Sequence, residues 1–158
     1  MKQAVLIVDI QPSFSPPEWL VKRAQALSDA FPSVATVERH DEKIVPFQRQ
    51  LNWSPSPCDD SLVSADHLCI KHGYRPSTET IEYLRAYEPD RVLVCGMQAD
   101  TCVLAAGFAL FDSGLHPTIV ANVVVGSKLD ITGQLGVRLW QHHFGHVVEN
   151  YETLLGTK

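Results

Sequence analysis

Hydrophobic positions along the chain come in two textures: short unbroken runs, and longer stretches where apolar residues recur every three or four places. Ala4-Val5-Leu6-Ile7-Val8, closed by Asp9, and Val92-Leu93-Val94-Cys95, closed by Gly96, are the purest runs. A strand with one wet face alternates in polarity. A run without alternation suits a strand covered on both faces, as at the centre of a parallel sheet. Runs of this kind predict strands over residues 4–9, 34–38, 67–71, 91–96 and 118–122, with a short one over 146–149.

Helical spacing between the runs predicts helices over 17–31, 78–87, 101–113 and 131–144. The first has proline in its opening turn, where an N–H has no partner in any case, and stops before Pro32. The second spaces Ile81, Leu84 and Tyr87 along one face. The third carries Val103, Ala106, Phe108 and Leu110 and meets Gly114, a natural C-terminal stop. Strands alternating with helices are the mark of βαβ units, so the fold class is α/β around a central, mainly parallel six-stranded sheet. Residues 46–60 hold three prolines, Trp53 and Ser54-Pro55-Ser56-Pro57, which predicts a loop, either a plain surface connection or a lid over a binding site.

A length of 158 residues fits one domain over the whole chain, and 45% hydrophobic with 20% charged residues is ordinary globular composition. Net charge narrows the function classes. At −5, with Lys and Arg scattered, the chain lacks the basic stripe of a nucleic-acid binder. No apolar run approaches the roughly 18–20 residues of a membrane span. The opening run is too short for a signal peptide and reads as a buried strand. Cys58, Cys69, Cys95 and Cys102 form no CxxC pair and no zinc-ligand spacing, so free thiols and a reducing, cytoplasmic location are expected.

Open parallel sheets bind ligands beyond the carboxyl ends of their strands. Asp9 ends the first predicted strand, Lys71 ends the third, and Gly96 ends the fourth shortly before Cys102. Singly, each has a bland reading: an Asp bonded to a loop, a solvated Lys, a small buried Cys. Together they bring a base, a cation and a thiol to one edge of the sheet. Cys102 falls in the first turn of a helix, where unpaired N–H groups and the helix dipole favour a thiolate, and Lys71 would lower its pKa further. Asp9 would take the thiol proton and pass it to the leaving group. Backbone N–H groups of the turn Gly96-Met97-Gln98-Ala99-Asp100-Thr101 would hold a developing oxyanion.

At these residues the sequence resembles the isochorismatase-like cysteine hydrolases, a superfamily that includes nicotinamidases and N-carbamoylsarcosine amidases. Val5-Leu6-Ile7-Val8-Asp9-Ile10-Gln11 with Phe14 resembles the first-strand block that ends in the catalytic Asp. Ile70-Lys71-His72-Gly73-Tyr74 resembles the block of the catalytic Lys, and Gly96-Met97-Gln98-Ala99-Asp100-Thr101-Cys102-Val103 resembles the nucleophile motif. The resemblance implies a three-layer α/β/α sandwich of Rossmann-like type, with Asp9 as base, Lys71 as charge partner and Cys102 as nucleophile. It further implies a cis peptide at Met97–Gln98 and oxyanion donors at the backbone N–H of Gln98 and Cys102. It also implies a homo-oligomer. The chain departs from the family at Ala99, where the motif has Thr, at Ala121-Asn122, where Asp-Ala is usual, and at Pro76-Ser77-Thr78, where a Phe is usual.

Nicotinamidases of this family carry an Asp-x-His-type cluster after the second strand. Here that region reads Glu38-Arg39-His40-Asp41-Glu42. Adjacent His40 and Asp41 without further histidines nearby make a poor ligand set, and His142, His143 and His146 sit on or after the last helix, facing solvent, so no metal or cofactor is expected. The functional expectation is thiol-dependent hydrolysis of a small amide, ureido or related C–N bond. The substrate is a compact small molecule, with Gln11, Phe14, Trp53 and Tyr74 as candidates for its pocket. A rival reading is a non-catalytic binding or assembly protein on the same fold. A nucleotide-binding reading fails on Asp9-Ile10-Gln11-Pro12, which stands where a Gly-rich loop would follow the first strand.

Overall fold

The computed structural model describes residues 1–156. Six strands, β1 (Gln3–Val8), β2 (Ser33–Glu38), β3 (His67–Lys71), β4 (Arg91–Met97), β5 (Pro117–Val125) and β6 (Val147–Val148), form one sheet. Its order is β3-β2-β1-β4-β5-β6, and every pairing is parallel. Five helices complete the chain: α1 (Glu18–Ala30), α2 (Phe47–Leu51), α3 (Thr78–Ala86), α4 (Cys102–Asp112) and α5 (Gln134–Phe144). Among the described residues no helix is long and apolar enough to cross a membrane.

The unbroken runs are explained by two cores. Ala4, Leu6 and Val8 of β1 pack with Leu84 of α3, Val103, Ala106 and Leu110 of α4 and Trp140 of α5. Val5 and Ile7 point the other way, to Leu20, Ala24 and Leu27 of α1. Both faces of the central strands are thus dry, in an α/β/α layering. Edge strand β3 shows the alternative, alternating buried Cys69 and Lys71 with exposed Leu68 and Ile70.

Most predicted elements appear with shifted ends, each for a local reason. Pro17 caps α1 from outside the helix. Helix α4 opens on Cys102 itself, with Thr101 as N-cap. Helix α5 starts three residues later than predicted because residues 126–133 form a turn, and the buried Asp130 carboxylate accepts the N–H of Leu135 (2.9 Å) and Gly136 (2.8 Å). Strand β5 continues to Val125, past the predicted end at Asn122, and β6 is only two residues long. The predicted loop 46–60 contains α2. Its first N–H groups are met by Glu42, whose carboxylate accepts from Gln48 (2.9 Å) and Arg49 (3.1 Å), and its one buried side chain is Phe47.

Chain order reverses between β1 and β4, so the crevice beyond their carboxyl ends is where such a sheet opens to ligands. The backbone is closely fitted there. A Cβ on Gly96 (φ +118°) would lie 2.2 Å from the Val8 carbonyl oxygen, and one on Gly136 of α5 would lie 2.4 Å from the Ala99 carbonyl carbon. Gly136→Ala is therefore expected to lower stability by about 1–3 kcal/mol in urea unfolding, through overpacking against the turn before Cys102. A stability unchanged by this substitution would show that α5 does not press on that turn.

Candidate active site

Asp9 follows β1 directly, in the left-handed region at φ 51°, which Asp tolerates better than most residues. Its Oδ1 accepts the Thr36 hydroxyl of β2 (2.8 Å), and its N–H reaches the Thr36 carbonyl (3.2 Å). Lys71 ends β3, two strands away, and its Nζ lies 2.8 Å from Asp9 Oδ2. The same ammonium donates to the carbonyls of Gly73 (2.7 Å) and Tyr74 (3.1 Å), so its three hydrogens are all engaged. Side-chain exposure is 2% for Lys71 and 0% for Asp9. Burial works against the Lys71 charge, but attraction to Asp9, Cys102 and Glu38 outweighs it and lifts the pKa above its ordinary value. Burial also raises the Asp9 carboxyl, with Lys71 as the main opposing influence.

Cys102 faces this pair from the first turn of α4, after a cis peptide at Met97–Gln98. The turn is held by its own backbone: the Gln98 carbonyl accepts from Thr101 (2.9 Å) and Val103 (3.1 Å), and the Ala99 N–H donates to Val125 (2.8 Å). The N–H groups of Gln98 and Cys102 have no such partner among the described residues. Ligand-type atoms of Asp9, Glu38 and Cys102 all lie within 4.8 Å of one another. The expected lowering of the thiol pKa does not hold. Burial pushes it well above its ordinary value, Lys71 opposes, and the nearby Asp9 and Glu38 carboxyls push it higher still. Burial thus favours the thiol over the thiolate at this position.

Glu38 was absent from the sequence-based set and belongs to this site. It ends β2, is 3% exposed, and places Oε2 3.9 Å from Cys102 Sγ. Burial raises its carboxyl to about 7, with Lys71 lowering and Asp9 raising it. Gln11, expected to line the pocket, does not. Its side chain instead donates to the Glu38 carbonyl (2.8 Å) and accepts the Glu38 N–H (2.8 Å), so it fixes the backbone from which Glu38 projects. The strand-end rule that selected Asp9 and Lys71 also selects Glu38, and was the signal that could have found it.

A cavity of about 440 Å³ opens over Cys102 and Glu38. Phe14, Trp53 and Tyr74 line it, with buried Phe47 setting its ring edge-on to Trp53 (5.7 Å) and Tyr74 (5.3 Å). Ser127, Lys128 and Leu129 also line it, and the Ser127 N–H donates to the Asp100 carboxylate (2.8 Å), which ties this segment to the turn before Cys102. Asp9 and Lys71 lie behind Cys102 and are not part of the lining. Ala99 is fully buried under α5, and Asn122 holds the C-terminal segment, bonding Tyr151 (2.9 Å) and Glu152 (3.1 Å). His142, His143 and His146 are exposed.

His40 and Asp41 do not come together as a metal-ligand set among the described residues. His40 turns to Glu42 (2.9 Å), Asp41 caps the Lys43 N–H (2.9 Å), and neither joins a three-ligand group among the described residues. The trio that does, Asp9, Glu38 and Cys102, already has a cation, the Lys71 ammonium.

The Glu38 pKa carries a stability consequence. It is higher folded (about 7) than its ordinary 4.5, so the favourable contribution is present below pH 4.5 and is lost as pH rises through 7. Glu38→Gln, which does not titrate, is expected to match wild type near pH 4.5 and to exceed its stability by about 3 kcal/mol near pH 8. Urea unfolding at the two pH values checks this, and parallel pH dependence in both proteins would refute it.

Comparison with known proteins agrees with this architecture. A family model described as an isochorismatase domain matches residues 3–151. Among solved structures, an N-carbamoylsarcosine amidase from Thermoplasma acidophilum is 20% identical at TM-score 0.77, over 95% of this chain and 96% of the other. An isochorismatase-like hydrolase from Alkaliphilus metalliredigens superposes at TM-score 0.81 with 12% identity, over 99% and 98%. The nicotinamidase of Bacillus subtilis gives 0.75 with 17% identity, over 94% and 100%. At these identities the structures speak for the fold alone. No curated protein matches by sequence. The family model spans nearly the whole chain, from β1 to the turn after β6, and on that ground the chain belongs to the isochorismatase-like hydrolase family.

Proposed function

We propose that this chain is a cysteine-dependent hydrolase of small amides or ureido compounds, working through a thioester on Cys102. The observation that carries the reading is the meeting of thiol, buried carboxylate and buried ammonium beside a turn whose Gln98 and Cys102 N–H groups have no backbone partner among the described residues. In the first half-reaction Asp9 takes the Cys102 proton as Sγ attacks the carbonyl carbon. The oxyanion is received by the N–H groups of Gln98 and Cys102, where one donor contributes about 3 kcal/mol in comparable sites. The C–N bond breaks, the nitrogen takes the proton from Asp9, and ammonia or an amine leaves. Water then gives a proton to Asp9 and attacks the thioester; the C–S bond breaks, the acid departs, and the thiol regains its proton. Lys71 keeps Asp9 anionic and ready at the start of each half.

The cavity volume and its aromatic walls fit a compact, partly planar substrate. Four free cysteines fit a reducing cytoplasm. Exposed Phe108 and Phe111 on α4, beside Phe144 of α5, offer an apolar face for the homo-oligomer we expect.

Wild type and Cys102→Ala, screened side by side on small amides and ureido compounds with ammonia and acid release as readouts, test the reading. Turnover is expected only with the thiol present. Asp9→Asn is expected to cut kcat/KM by about a thousandfold or more. Equal rates for wild type and Cys102→Ala across the panel would leave the fold as a binding protein.

A further inference from the structure

Asp9, Lys71 and Cys102 suffice for the proposed chemistry, which leaves Glu38 without a task. Yet Glu38 is 3% exposed, lines the cavity, and holds Oε2 3.9 Å from Sγ. Its Oε1 is buried and meets no hydrogen-bond donor among the described residues. A buried acceptor left unpaired is costly, and most such atoms in native proteins have a partner. Two neighbouring donors are committed elsewhere. The Lys71 hydrogens are taken by Asp9, Gly73 and Tyr74, and the Gln11 amide is spent on the Glu38 backbone and Asp59. Glu38 itself lines the cavity, so its carboxylate is placed to meet a donor on a bound molecule.

The position defines the donor. Cys102 Sγ attacks a carbonyl carbon whose oxygen points at the turn's free N–H groups. The nitrogen, one bond from that carbon, then comes within hydrogen-bond reach of a carboxylate that sits 3.9 Å from Sγ. We infer that the Glu38 carboxylate accepts the N–H of the scissile nitrogen, so that this enzyme selects primary and secondary amides or ureido groups over esters and N,N-disubstituted amides. The contact holds the nitrogen with its lone pair turned away from Glu38 and toward the proton carried by Asp9. The inference rests on the thiol-hydrolase reading and narrows its substrates. A site built around a hydrogen-bond acceptor rejects analogues that lack the donor, because the acceptor is then left buried and unpaired.

The test compares para-nitroacetanilide, its N-methyl derivative and para-nitrophenyl acetate at about pH 8, where Glu38 is ionised. Wild type is expected to favour the N–H anilide over the N-methyl one by about tenfold or more. Glu38→Leu should lower the anilide kcat/KM by about 10- to 100-fold more than it changes the rate of ester acylation of Cys102. Glu38→Gln, which keeps an acceptor oxygen, should restore most of the anilide rate. An equal fall in anilide and ester rates would mark a purely structural role and overturn the inference. So would a wild type that ignores the N-methyl group, or that cleaves neither anilide while the ester acylates. If intact-protein mass shows no ester acylation of Cys102, the thiol-hydrolase reading itself falls, and this inference with it.

Discussion

One buried ammonium organises the site. Three acids, Asp9, Glu38 and Cys102, crowd within 4.8 Å, and Lys71 is the cation beside them. In a low-dielectric pocket one positive charge can offset one negative charge well and three poorly. Burial pushes all three toward their neutral forms, and Lys71 opposes this at each, most directly at Asp9, where the contact is 2.8 Å. The chemistry we propose then needs no new charge in the interior. Negative charge passes from Asp9 to the substrate oxyanion and back while the positive charge stays fixed, and the protein supplies almost no reorganisation as it does so.

The sheet makes this crowding possible. Parallel strands deliver their carboxyl ends to one edge, and β1, β2 and β3 contribute Asp9, Glu38 and Lys71 from adjacent ends. From the other side of the reversal in strand order, β4 leads into the turn that starts α4 and presents Cys102. The helices on both faces keep the strands dry and rigid, so side-chain positions at the edge are set by backbone hydrogen bonds. Gln11 shows the same economy one layer out: a polar side chain at a strand end bonds the neighbouring backbone rather than the cavity.

Much of this was legible in the residues. Unbroken runs in β1 and β4 report two-sided burial because periodicity is a direct consequence of which faces are wet. Asp9, Lys71 and Cys102 could be picked by their places at strand ends and at a helix start, and the ordered motif blocks pointed to the family. Glu38 was obscured by its successors in the chain, since Arg39-His40-Asp41-Glu42 has the polarity of a solvated turn and the strand's last residue blends into it. Helix α2 was hidden because its start depends on Glu42, a capping group outside the helix, amid proline-rich sequence. The thiol pKa went the other way from expectation because local position favours the thiolate, whereas the decisive influence, burial beside two carboxyls, is a property of the assembled fold.

The contact between Ala99 and Gly136 ties two distant parts of the chain into one choice. A Cβ at 136 would lie 2.6 Å from that of Ala99, so the space under the nucleophile turn admits little more than these two small residues together. α5 cannot gain a side chain at 136 without the turn giving way, and the motif's usual Thr at 99 would add its γ atoms beside that same contact. Each position is therefore contingent on the other. Glycine is already the smallest residue, so room for a hydroxyl beneath the turn has to come from a shift of the helix axis rather than from a further trimming of its side chains.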